Sequence, residues 1–250
     1  MEKIYLSVII PCYNEERNLR LGALENVAHF LSKKDYTYEV IVVDDGSTDE
    51  SKKLINQFIS DDPKFKLLSR EHKGKAGTVI AGVKEAKGEY ILFTDLDQAT
   101  PMSQLDLFLP YFKKGFDLVI GSRNTKRRGA PLTRIAMARG FMILRNIILN
   151  LGVNDTQCGF KAFSKICAKN IFSKLKVFNL QNPVSGSTVT AGFDVELLYI
   201  AKLLGYKIAE VPVEWHYQET RNVSPIRDSL EGLIDLIKIR INSMNGVYNK

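Results

Sequence analysis

The sequence has few cysteines and histidines, and it lacks any long uncharged apolar run. Its three cysteines form no C-x-x-C pair, which excludes a disulfide framework and favours reduced thiols in a cytosolic protein. Its three histidines show no metal-ligand spacing. No segment reaches the roughly 18 uncharged apolar residues of a membrane-spanning helix, and the N-terminus has no signal-peptide pattern. We therefore expect a chain that does not cross a bilayer.

Acidic residues are absent between Leu118 and Asn154, and we call residues 118–154 the basic block. Its cations equal in number the formal net charge of +7: Arg123, Lys126, Arg127, Arg128, Arg134, Arg139 and Arg145. Such a block predicts a surface for phosphates, with a solvated basic loop as the alternative. Arg134 and Arg145 are predicted to share one helical face. The block lacks interleaved stacking aromatics, which argues against nucleic acid.

Apolar runs alternate with amphipathic stretches over the first 120 residues. Strands are predicted at 4–10, 39–43, 66–69, 90–94 and 117–121. Helices are predicted between them at 16–34, 49–60, 76–87 and 103–114. Buried strands separated by helices indicate an α/β protein with a mostly parallel sheet. Later elements are predicted as helices at 132–151, 164–174, 193–204 and 226–243, a short strand within 155–163, and a strand at 207–213.

Polar residues follow three of the predicted strands at the point where each strand ends. P-C-Y-N-E (11–15) follows the first, D-D-G-S (44–47) the second, and D-L-D (95–97) the fourth. Ligands of open parallel sheets lie outside the carboxyl ends of the strands, so these turns should share one site. Tyr13 offers a flat face for stacking, and an aspartate accepts hydrogen bonds from a base or a ribose. Helix capping is the alternative for each turn taken alone.

Asp95 and Asp97 are separated by a single residue at the end of the 90–94 run. In an extended segment, side chains i and i+2 lie on the same side, so both carboxylates can reach one cation. Mg²⁺ and Mn²⁺ prefer oxygen ligands and commonly bridge a carboxylate to phosphates. The pair therefore predicts a metal site for a nucleotide diphosphate, with an ordinary aspartate-rich turn as the alternative.

Two familiar nucleotide-binding motifs are missing. Residues 72–78 approach a P-loop, but Ser69 stands where the first glycine belongs, and Ala76 replaces the Ser or Thr after Lys75. No G-x-G-x-x-G follows the first strand, which argues against a nicotinamide enzyme. The segment remains a glycine-rich turn whose Lys75 is a candidate for a phosphate contact.

Six segments together resemble family 2 glycosyltransferases with the GT-A fold, and especially the branch of dolichyl-phosphate β-glucosyltransferases and polyprenyl-phosphate hexose synthases. They are V-I-I-P-C-Y-N-E (8–15), V-V-D-D-G-S-T-D (42–49), D-L-D (95–97), G-S-R (121–123), D-T-Q-C-G-F-K-A-F (155–163) and F-D-V-E-L-L (193–198). The first two are generic to the family, whereas D-T-Q-C-G-F and F-D-V-E-L-L are more specific to the lipid-phosphate branch. The resemblance covers nearly the whole chain.

The resemblance implies a Rossmann-like, mostly parallel sheet flanked by helices, in one GT-A domain over 1–250. Within it, 1–121 would bind the nucleotide sugar, 122–225 would form the acceptor half, and 226–250 would be an amphipathic C-terminal helix and tail. Candidate residues for the nucleotide sugar are Pro11, Tyr13, Asn14, Glu15, Asp44, Asp45, Lys75 and Asp95. Asp95 and Asp97 would bind Mg²⁺ or Mn²⁺.

The acceptor phosphate would meet arginines, namely Arg123, Arg134, Arg139 and Arg221. Arg123, Asp155 and Asp194 are the candidate catalytic residues, with capping and loop hydrogen bonding as the alternative for the two aspartates. Ala99 stands where mannosyl relatives often carry Gln, as in glucosyl-type sequences. Phosphate and water would therefore complete the coordination of the metal.

The implied activity is an inverting, metal-dependent transfer of a hexose, glucose from UDP-glucose, to a polyprenyl or dolichyl phosphate. GDP-mannose as donor, a glycan hydroxyl as acceptor with Asp155 or Asp194 as base, and a non-catalytic nucleotide-sugar or anionic-lipid binding module are the alternatives. We expect peripheral contact with the cytoplasmic face of a membrane through an apolar stripe on the last helix. That stripe is Ile226, Leu230, Leu233, Ile234, Ile237 and Ile241. Packing on the domain or on a second subunit, as in a homo-oligomer, is the alternative.

Overall fold

The computed structural model describes residues 3–123, 132–178, 191–216 and 225–249, without the side chains of 132–139, 191 and 225–230. The strands within these residues are β1 Leu6–Cys12, β2 Tyr38–Asp44, β3 Phe65–Ser69, β4 Tyr90–Phe93, β5 Leu118–Ser122, β6 Lys161–Ser164 and β7 Ile208–Pro212. The helices are α1 Glu16–Arg20, α2 Ala23–Leu31, α3 Ser51–Ile59, α4 Gly74–Glu85, α5 Leu105–Lys113, α6 Leu132–Leu149, α7 Lys165–Ser173, α8 Ala191–Leu203 and α9 Pro225–Met244. Short 3₁₀ turns occupy Met102–Gln104 and Val247–Asn249.

The seven strands form one mostly parallel sheet in the order β3-β2-β1-β4-β6-β5-β7. Only β6, among the described strands, runs antiparallel to its neighbours β4 and β5. Its first residue, Lys161, pairs with both Phe93 and Ile120 near the carboxyl ends of those strands. The loop that precedes β6 therefore reaches the edge of the sheet where the parallel strands end. This confirms the predicted α/β class and mostly parallel sheet.

The sheet is covered on both faces, which explains why its strands are apolar without alternation. In β1, Ile9 packs on one side with residues of α4, α7 and α8. Val8 and Ile10 pack on the other side with residues of α1, α2 and α5. All three side chains are fully buried.

The helix predicted over 16–34 is wrong as a single element, because the chain breaks between α1 and α2. Gly22 has a φ of 81° and lies directly before α2. This left-handed conformation is accessible to glycine at little cost and interrupts a right-handed helix. Leu21, at the break, is 70% exposed. The apolar periodicity of the segment continues across a turn that the hydrophobic pattern alone does not reveal.

α6 and α9, the two longest helices described, expose apolar side chains. α6 packs against α9, and Phe141 of α6 lies close to Gly232 of α9. Leu236 and Ile239 of α9 are fully buried, whereas the stripe residues Ile234, Ile237 and Ile241 are about half exposed. Apolar residues thus occupy both the packed and the exposed side of α9, unlike a simple amphipathic helix. Within the described residues, no helix combines the length and the apolar character needed to span a bilayer.

Candidate active site

The turns after β1 and β2 are joined at the carboxyl edge of the sheet. The Asp45 N–H donates to the carbonyl of Cys12 at 2.9 Å. Asn14, at a φ of 54°, donates its N–H to Ser47 Oγ, and its own Oδ1 accepts from the Thr48 N–H. Residues that the sequence placed in two separate polar turns are therefore neighbours in the fold.

Asp45 lies at the centre of an arrangement that includes a histidine the sequence argument did not select. The carboxylate is buried and accepts from the Lys73 N–H at 2.8 Å. Its other oxygen lies 2.8 Å from Nδ1 of His72. The Tyr13 ring stacks on His72 with centroids 4.3 Å apart and planes 20° apart. Together Tyr13, His72 and Asp45 offer an aromatic face beside an anionic acceptor, a combination that suits a nucleoside. His72 lies shortly after β3, at the same sheet edge, and this position in the sequence could have identified it as a site residue.

The remaining predicted nucleotide residues contact the loops around this arrangement. Asp44 is buried, and its Oδ1 accepts from the Ser47 N–H at 3.1 Å. Glu15 donates its N–H to Ser51 Oγ at 2.8 Å, and Pro11 lies near the end of β1. These contacts brace the turns, and the Asp44 carboxylate stabilises its own turn through the Ser47 N–H. A nucleotide contact for Pro11, Asn14, Glu15 and Asp44 stays a prediction.

The D-L-D segment lies in a turn, because β4 ends at Phe93. The Gln98 N–H donates to the Asp95 carbonyl at 3.2 Å, and Gln98 has a φ of 49°. The extended geometry assumed from the sequence is therefore wrong, yet the alternation survives: Leu96 is 2% exposed, whereas Asp95 and Asp97 are only partly buried. Asp97 Oδ1 accepts from the Ala99 N–H at 3.0 Å.

Two neighbours confine the Asp95 carboxylate. Lys75, in the first turn of α4, places Nζ 2.5 Å from Asp95 Oδ1. On the other side lies Gly159, of the D-T-Q-C-G-F segment, where an added Cβ would lie 2.6 Å from Asp95 Cγ. The sequence predicts a phosphate contact for Lys75 and no particular role for Gly159.

The donor set suits a hard divalent cation. Asp95 and Asp97 supply carboxylate oxygens, which Mg²⁺ and Mn²⁺ prefer over nitrogen or sulfur ligands. Within the described part of the chain, no three His, Cys, Asp or Glu side chains are grouped closely enough to hold a metal by themselves. Two carboxylates leave the other positions of a six-coordinate ion to oxygens from elsewhere, such as phosphate or water.

Arg123 and Asp155 form a bidentate ion pair that joins the end of β5 to the loop before β6. Arg123 Nε and Nη2 donate to the two carboxylate oxygens at 2.7 and 2.8 Å, and the Arg123 N–H adds a third bond at 3.0 Å. Burial alone would raise the pKa of Asp155, but the hydrogen bonds and charge of Arg123 outweigh it and lower the pKa to about 2. The guanidinium lies 5.7 Å from the centroid of Trp215. Nη1, the remaining guanidinium nitrogen, stands outside the contact with Asp155.

Asp194 has a buried partner that the sequence argument missed. Lys161 Nζ, fully buried at the start of β6, lies 2.7 Å from Asp194 Oδ1 and donates to the Cys158 carbonyl at 2.5 Å. It also lies 5.2 Å from the centroid of Phe93. Two residues later in α8, Glu196 accepts from the N–H groups of residues 176–178 and from the Tyr248 hydroxyl. The F-D-V-E-L-L segment therefore contributes two buried anchoring carboxylates.

The arginines of the basic block do not all have the same role. Arg145 is 2% exposed and donates to the Val153 carbonyl at 2.6 Å and to Thr156 Oγ1 at 2.9 Å. It supports the loop before β6, so the prediction that Arg145 belongs to a basic surface for phosphates is wrong. The side chains of Arg134 and Arg139, and all of Arg221, lie outside the described residues, and their contact with the acceptor stays a prediction.

The sequence of the chain matches a known protein family. Residues 7–172 match glycosyl transferase family 2. The chain belongs to that family. It is 33% identical over 265 residues to the dolichyl-phosphate β-glucosyltransferase of Dictyostelium discoideum, covering 99% of this chain and 77% of that one. It is 31% identical over 261 residues to the Homo sapiens protein of the same name, with 97% and 77% covered.

This family 2 glycosyltransferase has the same fold as several proteins of known structure. Glucosyl-3-phosphoglycerate synthase from Mycobacterium tuberculosis, in complex with UDP, superposes with a TM-score of 0.64 at 21% identity, covering 95% of this chain and 80% of that one. S. aureus TarS 1-349, in complex with UDP-GlcNAc, gives 0.60 at 20% identity, covering 96% and 67%. The predicted GT-A fold and the assignment as a glycosyltransferase are confirmed.

Proposed function

We propose that this glycosyltransferase moves glucose from UDP-glucose to a dolichyl or polyprenyl phosphate in a divalent-metal-dependent reaction that inverts the anomeric centre. The observation that carries the proposal is the contact between two motifs: Gly159 of the D-T-Q-C-G-F segment lies against Asp95 of the D-L-D turn. The relatives named as dolichyl-phosphate β-glucosyltransferases, similar over nearly the whole chain, support the choice of sugar and acceptor.

The donor would lie across the carboxyl ends of β1, β2 and β4. Tyr13 would stack on the nucleobase, and Asp45, oriented by His72 and the Lys73 N–H, would accept a hydrogen bond from the nucleoside. Asp95 and Asp97 would hold Mg²⁺ or Mn²⁺, and such an ion, when bound, stabilises a departing diphosphate as a Lewis acid. Lys75 adds a positive charge at the same place.

The acceptor would approach from the side of Arg123. A phosphate monoester has a second pKa of about 6, so it is mostly dianionic at neutral pH and needs no strong base. This suits the chain, because the pKa of Asp155 is about 2 and Asp194 is paired with buried Lys161. Asp155 would orient Arg123, whose Nη1 edge would meet the acceptor phosphate and screen its charge. Attack by one nucleophile gives a β-linked product from an α-linked donor.

We also propose peripheral binding to the cytoplasmic face of a membrane through α6 and α9. Ile143 and Ile147 of α6, together with Ile234, Ile237 and Ile241 of α9, are exposed. Exposed apolar side chains of this kind suit the boundary between headgroups and acyl chains. A homo-oligomer through the same helices is the competing explanation, and sedimentation with and without lipid vesicles distinguishes the two.

A donor and acceptor panel tests the function. Purified protein is incubated with dolichyl phosphate, Mg²⁺ or Mn²⁺, and labelled UDP-glucose or GDP-mannose, and the label in the lipid phase is measured. We expect transfer from UDP-glucose, its loss with EDTA, and a β-linked product. Asp97→Ala should reduce turnover by at least about 100-fold, whereas Asp106→Ala, on α5, should not.

Each other outcome would contradict part of the proposal. Transfer from GDP-mannose alone would make the chain a mannosyltransferase. Transfer only to a glycan hydroxyl would require a catalytic base and would exclude a lipid phosphate as the acceptor. Binding of UDP-glucose without turnover on any acceptor would make the chain a nucleotide-sugar or anionic-lipid binding module.

A further inference from the structure

The turn that precedes β6 contains a glycine, Gly159, at a position with no room for a side chain. Gly159 lies so close to Asp95 that a Cβ at this position would stand 2.6 Å from Cγ and nearer still to Oδ2. Real Cβ atoms do not approach other heavy atoms this closely, so any other residue would displace the carboxylate or the turn. The opposite side of the carboxylate is occupied by Lys75 Nζ. Gly159 and Lys75 thus both lie against the Asp95 carboxylate.

A buried ion pair between Lys161 and Asp194 holds the same turn in place. Lys161 is fully buried, and Asp194 is 5% exposed. The Lys161 ammonium bridges Asp194 Oδ1 and the Cys158 carbonyl, at 2.7 and 2.5 Å. The Cys158 side chain is buried against Gly121, where a Cβ would stand 2.8 Å from Sγ. The peptide linking Cys158 to Gly159 is therefore fixed on both sides.

We infer that Gly159 and the buried Lys161–Asp194 pair are positioning residues that set the Asp95 carboxylate for the divalent cation. The inference rests on the proposed function, because it takes Asp95 and Asp97 as the metal ligands. Groups that orient a ligand carboxylate commonly change metal affinity 10–100-fold when they are altered. Asp194 thus acts through Lys161 and the turn rather than on the sugar or the acceptor.

Gly159→Ala tests the contact with Asp95. Mn²⁺ affinity is measured in the presence of UDP by electron paramagnetic resonance of the free ion, which requires no turnover. We expect a dissociation constant about 10–100-fold weaker than that of the unaltered chain, in a variant that circular dichroism shows to be folded. Gly140→Ala is the matched control, because a Cβ at Gly140, on α6, meets nothing within 4 Å. Equal Mn²⁺ affinity in the two variants would overturn the inference.

Asp97→Ala separates this inference from the function on which it rests. Loss of Mn²⁺ binding in Asp97→Ala, together with unchanged affinity in Gly159→Ala, leaves the metal site standing and refutes the positioning role alone. No Mn²⁺ binding by the unaltered chain in the presence of UDP refutes both proposals.

The Lys161–Asp194 pair needs a variant that keeps the fold. Lys161→Met alone leaves Asp194 buried without its cation, so loss of folding is an expected result. Lys161→Met combined with Asp194→Leu removes both charges and keeps apolar volume, which proteins often tolerate. We expect this double variant to fold, by circular dichroism, and to bind Mn²⁺ at least 10-fold more weakly. A folded double variant with unchanged Mn²⁺ affinity would restrict the pair to a purely structural role.

Discussion

Replacing Asp155 with Asn should destabilise the protein in a way that depends on pH. The ordinary pKa of this side chain is 3.8, and Arg123 lowers it to about 2 despite the opposing effect of burial. One pKa unit corresponds to about 1.4 kcal/mol, so ionised Asp155 contributes roughly 2 kcal/mol to the free energy of unfolding at neutral pH. Because the folded pKa is the lower one, the unfolded state takes up the proton first. The contribution is complete above about pH 5 and is lost as the pH falls toward about 2.

Urea unfolding provides the assay, with Trp215 as its probe. Trp215 is the single tryptophan of the chain and lies 5.7 Å from the Arg123 guanidinium, so its fluorescence follows this region. We expect Asp155→Asn to lose roughly 2 kcal/mol at pH 7 and progressively less below pH 4. Asp106→Asn is the control: its pair with Lys34 is exposed, and its loss should change stability by less than about 1 kcal/mol. A deficit in Asp155→Asn that is the same at pH 7 and pH 3 would refute the reasoning.

Three further substitutions address other parts of the molecule. His72→Ala removes the ring that stacks on Tyr13 and orients Asp45, so the UDP dissociation constant, measured by calorimetry, should rise about 10-fold. Arg145→Met deprives buried carbonyl and hydroxyl acceptors of their donor, and the free energy of unfolding should fall by about 2 kcal/mol, whereas an unchanged value would deny its structural role. Ile237→Glu should reduce sedimentation with anionic vesicles at least 10-fold, while Leu107→Glu on α5 should leave it intact.

The sequence predicted those parts of the fold that depend on local patterns. Apolar runs such as 39–43 mark strands because both faces of the sheet are buried, and the polar turns after β1, β2 and β4 follow from the rule that sites lie at carboxyl ends. Asp45 and Asp95 were found in this way. A left-handed glycine is not visible in an apolar pattern, and for this reason the break at Gly22 was missed.

The rest depends on contacts between residues distant in the chain. The sequence predicted a short strand within 155–163 but not that β6 would lie antiparallel between β4 and β5. Without that placement, Gly159 has no reason to meet Asp95, and Lys161 has no reason to be buried beside Asp194. Arg145 was misassigned for the same reason: a charged residue on a helix is normally exposed, and its burial follows only from the loop it supports.

The antiparallel insertion of β6 also bears on how the protein folds. β6 pairs with β4 and β5, and α5, β5 and α6 lie between β4 and β6 in the chain. Contacts of long sequence separation form slowly, because the entropy of closing the intervening loops is lost before the pairing compensates for it. Helices, whose hydrogen bonds are local, can form earlier, but Gly159 reaches Asp95 only when β6 is in register with β4. Recovery of Mn²⁺ affinity on dilution from denaturant should therefore lag the far-ultraviolet circular dichroism signal.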